Sequence, residues 1–324
     1  MPLSQHRTAL MGLAMLMVLI YHYSIWVANY LSWLNVGYMG VDIFLLLSAY
    51  GLVSSLRQRE GDAQVYVSWP KYWHTRAWRI WPLFGITSVI ALLVMADAPH
   101  GVGEWLTAVV LRMTTLAYYF PNTAIPTDWY LSSLPLFYLL VPLLYGSVRR
   151  KPWHVLGVTF TLSSLLLVGY WLYTGNPLHW RYQCAVARVP IFVMGMVLAW
   201  HQPSRRLYGC IALGAAILSP MFFEPTRFLS HSLLVPLLLP LAIWLLEALP
   251  KRGYNALSLL GHYTLAAYCA NLVVEALMPH IVEVELRTAT YIIGQVILTL
   301  CFIAINSPIQ AHLSQTKTFT SNPS

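Results

Sequence analysis

Residues 7–51 read RTALMGLAMLMVLIYHYSIWVANYLSWLNVGYMGVDIFLLLSAYG, and their two apolar runs decide the fold class. Each run is long enough to cross a hydrocarbon layer about 30 Å thick, for which about 20 apolar residues suffice. Each also carries an ionisable residue in its interior, His22 in the first and Asp42 in the second. With entry at about residue 8 and a rise of about 1.5 Å per residue, His22 lies roughly 21 Å from the side of entry. The second run re-enters from the opposite face at about residue 36, which sets Asp42 roughly 9 Å down and at the same level. An acidic group at mid-bilayer is unfavourable by about 2.5–3.5 kcal/mol, so two polar residues at one depth mark a candidate functional site. The competing reading makes His22 a partner of a neighbouring backbone carbonyl and Asp42 a capping or pairing residue inside the bundle.

Outward from this stretch the composition stays apolar. The 324 residues are 58% hydrophobic and 9% charged, whereas soluble chains carry about 25% charged residues. The expected fold is all-α: a polytopic membrane protein with about ten transmembrane helices in a single bundle over residues 1–312, and a polar, disordered cytoplasmic tail at 313–324. The spans fall at about residues 8–29, 36–56, 79–96, 129–148, 154–174, 184–201, 207–222, 230–248, 256–277 and 289–310. The first follows only six residues and precedes no small-residue cleavage site, so it reads as a retained helix rather than a signal peptide. Cys184, Cys210, Cys269 and Cys301 are scattered through or beside apolar runs, fit no metal-ligand spacing and read as buried free thiols. No metal is expected.

The formal charge of +8 reads as topology and not as a nucleic-acid partner. With ten crossings and the N-terminus in the cytoplasm, every lysine and arginine except Arg112, Arg181, Arg188, Arg227 and Arg287 falls inside, as the positive-inside rule requires. An eleventh crossing at 104–121 would even out the two sides and leave Arg112 in lipid. That stretch, in an outer-side loop over 97–128, is therefore expected to be an interfacial or re-entrant helix, and both termini are cytoplasmic.

The longest cytoplasmic loop, 57–79, leads into KYWHTRAWRIWP at Lys71–Pro82. In helical form Arg76 and Arg79 share a face, with Trp73, Trp78 and Trp81 between the charges. Guanidinium forks suit phosphates and flat rings stack on a base, which fits a phosphorylated donor arriving from the cytoplasm. The same composition also anchors any membrane helix at its boundary.

Six stretches in order carry a family resemblance. LMGLAMLMVLIYH (Leu10–His22), GVDIFLLLSAYGL (Gly40–Leu52), RAWRIWP (Arg76–Pro82), DWYLSSLPLFYLLVP (Asp128–Pro142), RVPIFVMG (Arg188–Gly195) and GHYTLAAYCAN (Gly261–Asn271) resemble successive motifs of the integral-membrane acyltransferase family 3, whose members O-acetylate cell-surface polysaccharides, lipopolysaccharide and peptidoglycan. The resemblance covers nearly the whole chain and describes a divergent member. The family's arginine eleven residues before the histidine is Met11 here, with Arg7 one helical turn earlier. The glycine after the second-helix serine is Ala49, the tryptophan motif leads to no glutamate, and the histidine that ends the last block is Asn271.

The resemblance implies transfer of an acyl group, usually acetyl from acetyl-CoA, to a hydroxyl of a cell-surface or lipid-linked glycan at the bacterial inner membrane. In that reading Arg7, Lys71, Arg76 and Arg79 bind the CoA nucleotide, His22 is the general base, and Asp42 orients its imidazole. Ser48, Tyr130, Ser132, Ser133, Tyr138 and Asn271 are candidates for substrate and oxyanion contacts. Arg188 binds the acceptor or snorkels, and Trp129 and Tyr130 stack on a sugar or belong to the aromatic belt. A covalent acyl-His22 intermediate is a variant of the same chemistry. The alternatives are N-acyl or succinyl transfer in this architecture, a proton-coupled transporter or glycan exporter using the intramembrane His/Asp pair, and a degenerate member kept as a scaffold. No motif specifies the acceptor, the acyl chain or the oligomeric state.

Overall fold

A computed structural model describes residues 3–28, 35–63, 68–95, 99, 101–120, 128–175, 180–201 and 227–319. Among these the regular elements are α1 (Leu3–Trp26), α2 (Met39–Ala63), α3 (Trp69–Val94), α4 (Val102–Met113), α5 (Asp128–Arg150), α6 (Pro152–Thr174), α7 (Trp180–Trp200), α8 (Arg227–Ala248), α9 (Lys251–His262), α10 (Thr264–Leu277) and α11 (Val284–Phe319), with three short 3-10 turns. Local chemistry sets their ends. Proline stands in the first turn of α3 and α6, where its missing N–H has no intrahelical partner to lose. α6 stops at Gly175, whose φ of 65° is a left-handed closure that glycine enters without steric penalty.

Six of these helices are long and apolar enough to cross a membrane; α9 and the stretch from Thr264 to His280 pass the same test together but meet at a bend of 73°, as in a broken span or a re-entrant loop. The chain is therefore read as a multi-pass membrane protein. The span expected at 207–222 lies outside the described residues, and the apolar parts described in α7 and α8 are shorter, Ala185–Trp200 and Leu238–Ala248. The helix expected over 256–277 is instead broken at Tyr263, whose backbone leaves the helical region at φ −107° and ψ 21°.

Three further stretches differ in detail from their composition. Residues 57–63 prolong α2 and 69–79 open α3, so the basic stretch is helical at both ends. α11 continues through Phe319, since extending an established helix needs only one residue ordered per bond gained. Of the cysteines, Cys269 is buried but Cys301 is exposed, and Cys210 lies outside the described residues.

The chain divides into two compact units. The first comprises Met1–Val18, Val36–Tyr66 and Trp129–His262. Here α2 packs along α7, both meet α8, and α6 covers α7. Backbones approach closely at glycines, as in other membrane bundles where small residues replace a hydrophobic driving force. A Cβ on Gly195 would strike the Leu46 carbonyl, one on Gly12 the Leu257 carbonyl, and one on Gly261 the Thr8 carbonyl. The last two form a reciprocal crossing of α1 with α9.

The second unit comprises Leu19–Asn35, Val67–Asp128 and Tyr263–Ser324. Leu83 of α3, Ala266, Cys269, Ala270 and Val273 of α10, and Phe302 of α11 form its core. Ala91 packs on Ala276, and His280 Nε2 lies 2.8 Å from the Val94 carbonyl oxygen; α3 and α10 thus run in the same sense. Val27 meets Val274 and Met278, which gives the second half of α1 that sense too. α11 runs the opposite way, with Gln295 Nε2 donating to the Ala267 carbonyl at 2.8 Å.

α4 has 12 residues, about 18 Å of helix, and is too short to cross. Trp81 Nε1 donates to the Met113 carbonyl at 2.8 Å and so ties it to α3. Arg112 is buried, with Nη2 3.3 Å from Met95 Sδ. Thr115, just beyond α4, has φ 62°, a conformation unfavourable by about 1–2 kcal/mol for a residue with a Cβ.

The α1–α9 crossing has a direct test. Gly12→Val or Gly261→Val is expected to destabilise the folded protein by about 1–3 kcal/mol through overpacking, read as a lowered unfolding temperature in detergent. Gly157→Ala, where a Cβ meets nothing within 4 Å, should leave that temperature unchanged or raise it.

Candidate active site

His22 lies in the α1 segment of the second unit, four residues before the end of that helix. It is 7% exposed, and Glu275 beside it is 2% exposed. The imidazole Nδ1 is 2.8 Å from Glu275 Oε1 and 2.7 Å from Asn271 Nδ2. Asn271 Nδ2 also donates to Glu275 Oε1. Asn271 and Glu275 stand one turn apart on α10 and so share a face.

The amide orientation is set from its far end. Tyr291 Oη of α11 lies 2.9 Å from Asn271 Oδ1 and 2.9 Å from the Leu19 carbonyl oxygen, its one proton shared between two acceptors. Turning the amide over would face its oxygen towards Glu275 Oε1. Both the Asn271 NH2 and Glu275 Oε1 meet the same imidazole nitrogen, Nδ1, whose role as donor or acceptor depends on the tautomer. The result is a buried chain of contacts through Tyr291, Asn271, Glu275 and His22.

The carboxyl group that meets His22 Nδ1 is Glu275. Asp42, in the first unit, is completely buried and 3.0 Å from Arg188 Nε. The Arg188 guanidinium in turn lies 4.5 Å from the centroid of the Trp129 ring. Tyr130 follows, with its ring 6.2 Å from that of Phe44. The structure thus groups Asp42, Arg188 and Trp129 around one buried ion pair. Ser133 donates to the Trp129 carbonyl at 2.6 Å; Ser132 and Tyr138 are buried and Ser48 half-buried in the same unit.

Among the residues expected to meet a nucleotide, Lys71 and Arg79 are exposed and Arg76 is half-buried, 5.8 Å from the Tyr72 ring centroid. Trp78 between them is 50% exposed. All belong to α3 and to the second unit, with His22. Arg7 is in the first unit, where its Nε donates to the Leu47 carbonyl at 3.1 Å.

Glu275 and Tyr291 are the site residues that the sequence reading passed over. An acidic residue inside an apolar run was the available signal. Counted along a straight helix from residue 256, Glu275 sits roughly 28 Å from the entry side and far from the level of His22; counted from Thr264, beyond the break, it sits roughly 16 Å along.

Proteins of Staphylococcus aureus strains COL and MSSA476, each carrying the name "Putative O-acetyltransferase", are 26% identical to the chain over 216 residues. That match covers 61% of this chain but 35% of each relative, so it spans about a third of the relatives' length. No solved structure matches. The sequence profile described as "Acyltransferase domain" matches residues 9–307, nearly the whole chain, and the protein belongs to that acyltransferase family.

Proposed function

We propose that the protein is a membrane O-acyltransferase that moves an acyl group, acetyl in the simplest case, from cytoplasmic acyl-CoA to a hydroxyl of a cell-surface or lipid-linked glycan at the bacterial inner membrane. The observation that carries the reading is the buried contact between the His22 imidazole and the Glu275 carboxyl group. In this scheme Nε2 takes the proton of the acceptor hydroxyl as its oxygen attacks the thioester carbonyl. The carbon–sulfur bond then breaks, and the imidazolium returns the proton to the departing thiolate, so that free CoA and an ester leave. Glu275 holds the ring in place and stabilises its charged form while the proton is in transit.

The donor's reach supports the same assignment. Arg76, Arg79 and Lys71 would hold the nucleotide phosphates at the start of α3, with the exposed Trp78 ring against the base. Ala91, twelve residues beyond Arg79, packs on Ala276, the neighbour of Glu275. The thioester therefore has to travel roughly 18 Å along α3 from Arg79 to the level of the relay, the task of a long, thin arm. Trp129, braced by Arg188, is the candidate surface for stacking a sugar.

Two measurements on purified protein test this. With acetyl-CoA and a glycan acceptor, His22→Ala is expected to slow release of free CoA by about 10²- to 10⁴-fold while acetyl-CoA still raises the unfolding temperature. Turnover equal to the parent protein removes His22 from the mechanism; binding of glycan without any thioester turnover by the parent protein favours transport instead. In a second comparison Glu275→Gln should lower kcat by roughly 10²-fold with little change in the KM for acetyl-CoA. Arg79→Gln should do the reverse, raising KM with kcat preserved.

A further inference from the structure

At one end of the first unit three helices finish together. Arg57 lies in the last two turns of α2, Arg149 and Arg150 close α5, and Trp200 closes α7. The Arg57 and Arg149 guanidinium groups lie 5.1 and 5.2 Å from the centroid of the Trp200 ring. Arg57 Nη1 donates to the Ala199 carbonyl at 3.0 Å, and Arg149 Nη1 is 3.5 Å from Glu60 Oε2. Lys151, the single residue between α5 and α6, is exposed beside them.

The charge here exceeds what the helices absorb. Arg57, Arg149, Arg150 and Lys151 bring four positive charges to this end, of which Arg149 meets the Glu60 carboxylate. Three helix C-termini contribute roughly half a negative charge each, which offsets part of the rest.

The shape beside this charge selects an amphiphile over a soluble anion. Leu136, Leu139 and Leu143 of α5 are all exposed and, with Gly146 and Arg150, lie on one helix face by their spacing. The missing side chain of Gly146 makes room for Arg150, whose Nη2 would be 3.8 Å from a Cβ built there. The cation thus lies at the end of an apolar stripe. From Leu136 to Gly146 the stripe is roughly 15 Å long, the depth of one hydrocarbon leaflet.

We propose that the cationic end of the first unit, Arg57, Arg149, Arg150 and Lys151 around Trp200, holds the phosphate of an anionic phospholipid whose acyl chain lies along Leu136, Leu139 and Leu143. Arg150 and Lys151 supply the mobile charges, and the Arg57–Trp200–Arg149 stack fixes the base of the site. The assignment is independent of the acyl-transfer reading, since none of these residues enters that chemistry.

The test is lipid retention by the full-length protein, purified in detergent, supplied with phosphatidylglycerol or phosphatidylcholine and followed by native mass spectrometry. Phosphatidylglycerol is expected to be retained in preference to phosphatidylcholine. The double variant Arg150→Gln, Lys151→Gln should bind it roughly 30-fold more weakly, from about tenfold per 1.4 kcal/mol and the usual attraction of one surface cation. Gly146→Leu, which fills the saddle and keeps every charge, should also weaken it. Equal retention of the two lipids, or undiminished retention by both variants, overturns the proposal. So does displacement of the lipid by glycerol 3-phosphate or CoA at equal concentration, which would assign the site to a soluble phosphate.

Discussion

The contact between His22 Nδ1 and Glu275 Oε1 is the constraint around which the second unit is arranged. A carboxylate this deeply enclosed is tolerable only with its acceptor positions filled. α10 supplies the Asn271 amide one turn away, α1 supplies the imidazole, and α11 supplies the Tyr291 hydroxyl that fixes the amide. Three helices are therefore tied by one polar relay, where apolar packing alone discriminates weakly between rotational settings. Small residues on α10, Ala266, Ala267 and Ala270, let those helices come close enough for the relay to close.

The first unit meets the same problem differently. Its buried charges, Asp42 and Arg188, neutralise each other directly, and Trp129 covers the guanidinium. The printed contacts of this pair are an ion pair and a ring, those of the His22 cluster a chain of hydrogen-bonding groups.

Much of the fold was legible in the sequence because the apolar runs at residues 8–29, 36–56, 129–148 and 154–174 need no tertiary information to be recognised. Arg112 lies in a helix of 12 residues, too short to cross, and is buried within the protein. The site was legible only in half. His22 and Asp42 stood out as ionisable residues at one depth, whereas Glu275 stands near the far end of the run at 256–277, where no proline announces the break at Tyr263. Asn271 appeared as a departure from a motif; its place beside His22 depends on which face α10 turns inward, and an all-apolar helix does not reveal that. Composition likewise does not distinguish Cys269 from Cys301, which differ only in the direction each helix turns them.

The reciprocal crossing at Gly12 has a further consequence for α1 and α9. Gly12 meets Leu257, four residues before Gly261, and Gly261 meets Thr8, four residues before Gly12. Each helix therefore brings one notch and one ridge to the other. The two notches close together or not at all, since sliding either helix along the other would carry a side chain into both.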